Sequence, residues 1–164
     1  MIALVRAALQ RYRKDPPPRI TVAMRDYLIA LPEINDLISN KVFASRVPKK
    51  EKPAIAVKLS RISVARNNDL AGESQMVAST VQVDVMSRLP GAERRVEMVA
   101  EMIRIATAGV SYRGYWGNLW IYGATVERDA MQSPLQPIDA SNNWQFQYSM
   151  DLRINHTQSS PTED

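Results

Sequence analysis

The sequence predicts an α/β (α+β) domain: a four-stranded, mainly antiparallel sheet with helices packed on one face, plus an N-terminal helical extension. Three observations lead there. Over residues 144–154, Trp144, Phe146, Tyr148, Met150, Leu152 and Ile154 alternate without a break with Gln145, Gln147, Ser149, Asp151 and Arg153, the period of a strand with one buried face. Residues 55–64 and 80–86 also alternate, and 119–127 (LWIYGATVE) supply a fourth extended stretch. Residues 92–108 instead repeat their apolar positions at the helical period. The order read from the chain is helix, helix, strand, strand, helix, strand, strand.

The extension occupies residues 1–19. Ile2, Val5, Leu9 and Tyr12 fall at helical spacing, Arg6, Arg11, Arg13 and Lys14 lie elsewhere around the helix, and Asp15-Pro16-Pro17-Pro18 stops it. Such a helix either packs on its own core or serves as an arm docking on a neighbour, held off by stiff prolines. The domain proper is assigned to residues 20–156. Its first helix, over 21–31, turns Val22, Tyr27, Leu28 and Leu31 to one face with Thr21 as cap, and Pro32 ends it or begins a further turn over 33–39. Val42 and Phe43 read as a short extended piece, and the lysine-rich 49–53 as a solvated connector.

In 55–64, Ile55, Val57 and Leu59 hold one phase and Ile62 and Val64 the other, which predicts a bulge or a strand that leaves the sheet. The turn-rich, charged residues 66–74 then make an antiparallel hairpin with a long tip. The helix over 92–108, closed by Gly109, gathers Glu93, Arg94, Glu97, Glu101 and Arg104 on one narrow arc. Its apolar arc is wider than one sheet contact requires, so the Met98, Met102 and Ile105 side is expected against the 21–31 helix or another subunit. Residues 112–116 read as a glycine-broken aromatic loop, 128–143 as a connector with Pro134 and Pro137, and 157–164 as a polar C-terminal tail.

Composition narrows the function. A chain of 164 residues, 45% hydrophobic and 23% charged, suits one domain with a real core. The absence of cysteine excludes disulfides and thiolate metal sites, and the single His156 cannot by itself form a zinc site or a nucleophile–base pair. A glycine-rich phosphate loop and a spaced carboxylate pair are also missing. No catalysis, cofactor or metal is expected. Arg6 interrupts the apolar opening and no small-residue cleavage site follows, so a signal peptide or membrane span fits poorly and an intracellular location is expected. A net charge of +4 permits contact with nucleic acid or an acidic protein without demanding it. Trp120 and Tyr122 have the spacing to stack bases, but core packing is the favoured reading.

Two segments have the marks of interfaces. The hairpin tip offers Arg66, Asp69, Leu70 and Glu73, and the connector offers Met131, Leu135 and Ile138: both are long, and isolated apolar groups on loops want a partner to cover them. Across residues 22–154 the chain resembles tail-completion or tail-terminator proteins of long-tailed bacteriophages. The resemblance rests on Leu-Pro-Glu-Ile-Asn-Asp-Leu-Ile, Lys41-Val42-Phe43, Arg46-Val47-Pro48, Pro53-Ala54-Ile55-Ala56-Val57 and Asp69-Leu70-Ala71-Gly72. It continues in Val81-Gln82-Val83-Asp84-Val85, followed by an Ala/Glu-rich helix, and in Tyr148-Ser149-Met150-Asp151-Leu152-Arg153-Ile154. The resemblance implies a non-enzymatic virion subunit, assembled in the host cytoplasm, that forms a homo-oligomer, a hexameric ring, on the tail tube protein at the head-proximal end. It would meet the head-tail connector proteins there, with DNA passing through without sequence-specific binding. The polar strand face bearing Gln145, Gln147, Ser149, Asp151 and Arg153 would then line the channel. Two other readings stand beside it: a sheet-based nucleic-acid-binding module, and a ligand-binding or enzymatic domain with its site at a subunit interface.

Overall fold

Alternating sequence yields long strands here because both neighbours in the sheet share the pattern. The structure, a computed structural model, describes residues 1–14, 19–48, 54–69, 72–109, 113–117, 119–132 and 146–157. In chain order the elements are α1 (Ile2–Lys14), α2 (Ile20–Ile29), α3 (Pro32–Ile38), β1 (Val42–Phe43), β2 (Ile55–Asp69), β3 (Gly72–Ser87), α4 (Glu93–Arg104), β4 (Gly114–Trp116), β5 (Leu119–Gln132) and β6 (Phe146–Thr157). They form one six-stranded sheet in the order β1-β2-β3-β6-β5-β4. Every pairing is antiparallel except β1 with β2.

The sheet therefore has six strands where four were expected, the additions being the short edges β1 and β4. Neither is long enough to display a period. β1 forms because the chain reverses at Ser39 and Asn40, both left-handed, after which the Lys41 carbonyl accepts the Val57 N–H at 2.9 Å. β4 forms a hairpin with β5 over Gly117, whose φ of +58° few other residues adopt. Its anchor is Trp116, 1% exposed, with the ring stacked on Tyr27 at 4.9 Å.

One core lies between the sheet and α2, α3 and α4. It takes Phe146, Met150, Leu152 and Ile154 from β6, Val81, Val83 and Val85 from β3, and Ile55, Val57 and Leu59 from β2. α4 covers β3 and β6 through Val96, Val99, Ala100 and Ile103, while α2 touches β1 and β2 near one edge and β4 at the other. The phase switch in β2 is a bulge: the ladder shifts register between Arg61 and Ser63, leaving Ile62 exposed.

Several boundaries move. α2 starts at Ile20 with Arg19 as its cap residue, and Thr21 is a buried residue inside the helix, with no side-chain cap present. Much of the expected long hairpin tip is strand: Asn68 pairs with Glu73 and Asp69 with Gly72, while residues 70 and 71 lie outside the described residues. Residues 128–132, assigned to a connector, extend β5, and Thr157, assigned to the tail, ends β6 after the buried His156. α4 closes in a π-helical turn, Ile105–Gly109, where the Thr107 hydroxyl donates to the Ile103 carbonyl at 2.8 Å and Tyr27 donates to the Ala106 carbonyl at 2.7 Å. That turn, anchored by two side chains, takes the place of a left-handed glycine cap. Met98 and Ile105, expected against α2 or another subunit, stand 45% and 44% exposed. Trp144 lies outside the described residues.

Leu152 is fully buried at the centre of this core, whereas Ile62 sits on the bulge. Leu152→Ala is expected to lower stability by about 2–5 kcal/mol, and Ile62→Ala to stay within about 0.5 kcal/mol of the parent, both measured by urea denaturation.

Candidate functional site

The sheet face turned away from the helices carries the odd-numbered residues of β6 and their ladder partners. Lys58, Asp84 and Ser149 form one row, Ser60, Gln82, Asp151 and Arg128 the next, and Thr80, Arg153 and Thr125 lie beyond. Asp84 is the centre of this surface and is only 1% exposed. Its Oδ1 accepts from the Ser149 hydroxyl at 2.6 Å, from Gln82 Nε2 at 2.9 Å and from Gln147 Nε2 at 3.1 Å. Its Oδ2 lies 3.2 Å from Lys58 Nζ. A carboxylate removed from water is costly unless it is paired and fully hydrogen-bonded, and these four groups meet that requirement. On the neighbouring row, Phe43 and Val47 cap Ala56 and Met86 as a small second core.

Further along, Arg128 Nη2 lies 3.1 Å from Asp151 Oδ2 and Arg153 Nη1 lies 3.8 Å from Glu127 Oε1. Each of these cations thus faces a carboxylate. The surface offers hydrogen bonds and balanced charge, and such a lining attracts a polyanion weakly. Among the described residues no group of three metal-ligating side chains converges.

The structure gathers part of the expected channel set. Asp151 and Arg153 share this face with Gln147, which is buried in the Asp84 network, and Gln145 lies outside the described residues. Of the interface residues, Arg66 is exposed on β2, Asp69 and Glu73 sit where β2 and β3 pair near the turn, and Met131 pairs with Tyr148 at the opposite end of the sheet. Leu70, Leu135 and Ile138 lie outside the described residues. Sequence reading passed over Lys58, Gln82 and Asp84, whose only signal is that they occupy the polar phase of alternating strands.

The aromatic pair also corrects the sequence reading. Tyr115 and Tyr122 are exposed and Trp120 half-buried on the outer face, with rings edge to face at 4.8 Å (Tyr115–Trp120) and 6.5 Å (Trp120–Tyr122). Pairing of Trp116 with Leu119 sends those two side chains inward, so Tyr115 and Trp120 must point outward.

The lone histidine does find a serine. The Ser79 hydroxyl lies 2.7 Å from His156 Nε2, and His156 Nδ1 donates to the Thr157 carbonyl at 2.7 Å. A neutral imidazole has one N–H, so Nε2 accepts from Ser79. Both residues are buried, and a backbone carbonyl stands where a triad has its carboxylate. This pair reads as a satisfied polar contact inside the core.

Two predictions follow from these groups. Asp84→Ala and Gln147→Ala should each cost about 1–3 kcal/mol, because buried partners are left unpaired; Lys58 retains access to water, which keeps the first value below that of a fully buried broken pair. Denaturation midpoints check both, against the near-neutral effect expected of an exposed glutamine. Burial pushes the His156 imidazole below its ordinary value; the Thr157 carbonyl opposes this and the Arg61 guanidinium adds to it. Folding then favours the neutral ring, so its contribution is complete above pH of about 6.5 and is lost as the pH falls from there through the folded-state value. His156→Gln should flatten the pH dependence of stability over that acidic range.

No protein-family model matches the chain, and no curated protein matches it. Among solved structures it is similar to a chain from the virion of a native gene transfer agent particle, with a TM-score of 0.61 and 17% identity over 84% of this chain and 92% of that one. The two chains share a fold.

Proposed function

We propose that this protein is a structural subunit of a phage-like virion and acts as a tail terminator. In this reading it forms a ring of six subunits at the head-proximal end of the tail, caps the tail tube protein and joins it to the head-tail connector proteins. The observation that carries the reading is the fold held in common with a virion chain over 92% of that chain's length. Physical features support it. A ring closes when two unlike surfaces meet head to tail, and the expected interface segments, near Arg66 and near Met131, lie at opposite ends of the sheet. The charge-paired outer face around Asp151 and Arg153 suits a channel through which DNA slides without sticking. Capping a tube requires no catalysis.

A second reading, a sheet that binds nucleic acid, has one observation in its favour: the exposed Tyr115–Trp120–Tyr122 ladder. Removing the gene from an otherwise complete virus and imaging the lysate separates the two. The terminator reading expects overlong tubes without heads; tails of normal length on filled heads would end it. Oligonucleotide binding that weakens steeply with salt, with tube length unchanged, would favour the second reading.

A further inference from the structure

α1 leaves its apolar face exposed on its own fold. Its apolar residues Ile2, Leu4, Val5 and Leu9 are all more than half exposed, from 52% to 77%. A helix of 13 residues with its apolar face exposed is marginal in water, since most helical stability comes from packing an amphipathic face. Ile2, Val5 and Leu9 follow one another at steps of three and four residues, the spacing of a seam that packs on another helix. The chain also concentrates its charge there. Residues 1–14 hold four of the 21 basic residues and none of the 17 acidic ones, so from Asp15 onward the two signs are equal in number.

α4 presents the complementary surface. Met98, Met102 and Ile105 follow at steps of four and three on its outer side; Met98 and Ile105 are exposed and Met102 half-buried. The α1 seam from Ile2 to Leu9 and this stripe from Met98 to Ile105 are of equal length, about 10 Å each at 1.5 Å per residue. Beside the stripe the Tyr148 phenol donates to Asp129 at 3.0 Å, and Glu101 and Glu97 lie on the same helix as the stripe. Arg104 pairs with Glu101. Arg94 and Arg95 are also exposed on α4, so the helix and Asp129 together offer four acids against three cations where α1 is wholly basic.

We infer that α1 of one copy docks through Ile2, Val5 and Leu9 on the Met98–Met102–Ile105 stripe of α4 in a second copy, with its arginines against Glu97, Glu101 and Asp129. Both surfaces expose apolar groups in the same chain. One such contact is small, and it gains strength when each copy both donates and receives an arm, as in a closed ring. The inference rests on self-assembly of the proposed kind and names one of its contacts.

The chain has no cysteine, so introduced thiols report cleanly. Full-length Leu9→Cys and Met98→Cys proteins are mixed, oxidised and resolved on a non-reducing gel, with mass spectrometry of the joined peptides. The mixed disulfide is expected to dominate over either homodimer, and adding Val5→Asp to the Leu9→Cys chain should cut it about tenfold, because the seam must then bury a carboxylate. Homodimers alone, a link formed only within one chain of the Leu9→Cys/Met98→Cys double variant, or no link would each overturn the docking. Sedimentation of the unmodified protein keeps the readings apart. A ring without the mixed disulfide ends the docking and leaves the ring; a mixed disulfide in an open chain or dimer keeps the docking and ends the ring.

Discussion

Because side chains alternate along a strand, the register that sets Leu152 beside Val81 and Val126 also sets Asp151 beside Gln82 near Arg128. β6 is paired on both sides, so one choice of register organises the core under the helices and the polar surface opposite. A slip of one residue would turn Met150, Leu152 and Ile154 to water and carry Ser149, Asp151 and Arg153 beneath α4. The loss would be several buried aliphatic side chains, each worth about 1.5–3 kcal/mol, against a net stability of about 5–15 kcal/mol for an ordinary domain. The whole sheet therefore depends on this pairing.

The Asp84 network adds a second, directional constraint to the first. Hydrophobic burial tolerates small displacements, but a shielded carboxylate with donors from Gln82, Gln147 and Ser149 and an ammonium from Lys58 tolerates few. Those donors come from three adjacent strands. Moving β2 or β6 by two residues would preserve the apolar pattern and still take Lys58, or Gln147 and Ser149, away from Asp84. The network thus distinguishes registers that the apolar period alone leaves degenerate. The bulges near Ile62, Asn67, Tyr122 and Glu127 then bend β2 and β5 away from a flat ladder while the central strands stay regular.

What the fold leaves uncovered is as informative as what it buries. α1, the outer stripe of α4 and the Tyr115–Trp120–Tyr122 ladder all hold apolar surface that a monomer of this size gains nothing from exposing. The outer sheet face, in contrast, is saturated with its own ion pairs and hydrogen bonds. Apolar rims and a hydrogen-bonded polar face are what the proposed subunit, joining copies of itself around a passage, would need.

The sequence by itself determined the elements whose periods run long enough to read: the alternation of β6, the two arms of the β2–β3 hairpin, the α4 helix, and the bulge signalled by Leu59 and Ile62 changing phase. These follow from local geometry, since burial on one side of a strand or helix imposes a repeat. It also determined that residues 1–14 are an amphipathic basic helix. Only the tertiary structure decided the rest. β1 and β4 are too short to carry a period and exist because α2 and Trp116 bring them to an edge. The outward turn of Trp120 depends on which partner β4 selects. Asp84 becomes a buried hub, and Gln147 a structural residue, only once β2, β3 and β6 are aligned, because long-range register sets which polar residues meet while the pattern within a strand sets only which face they share.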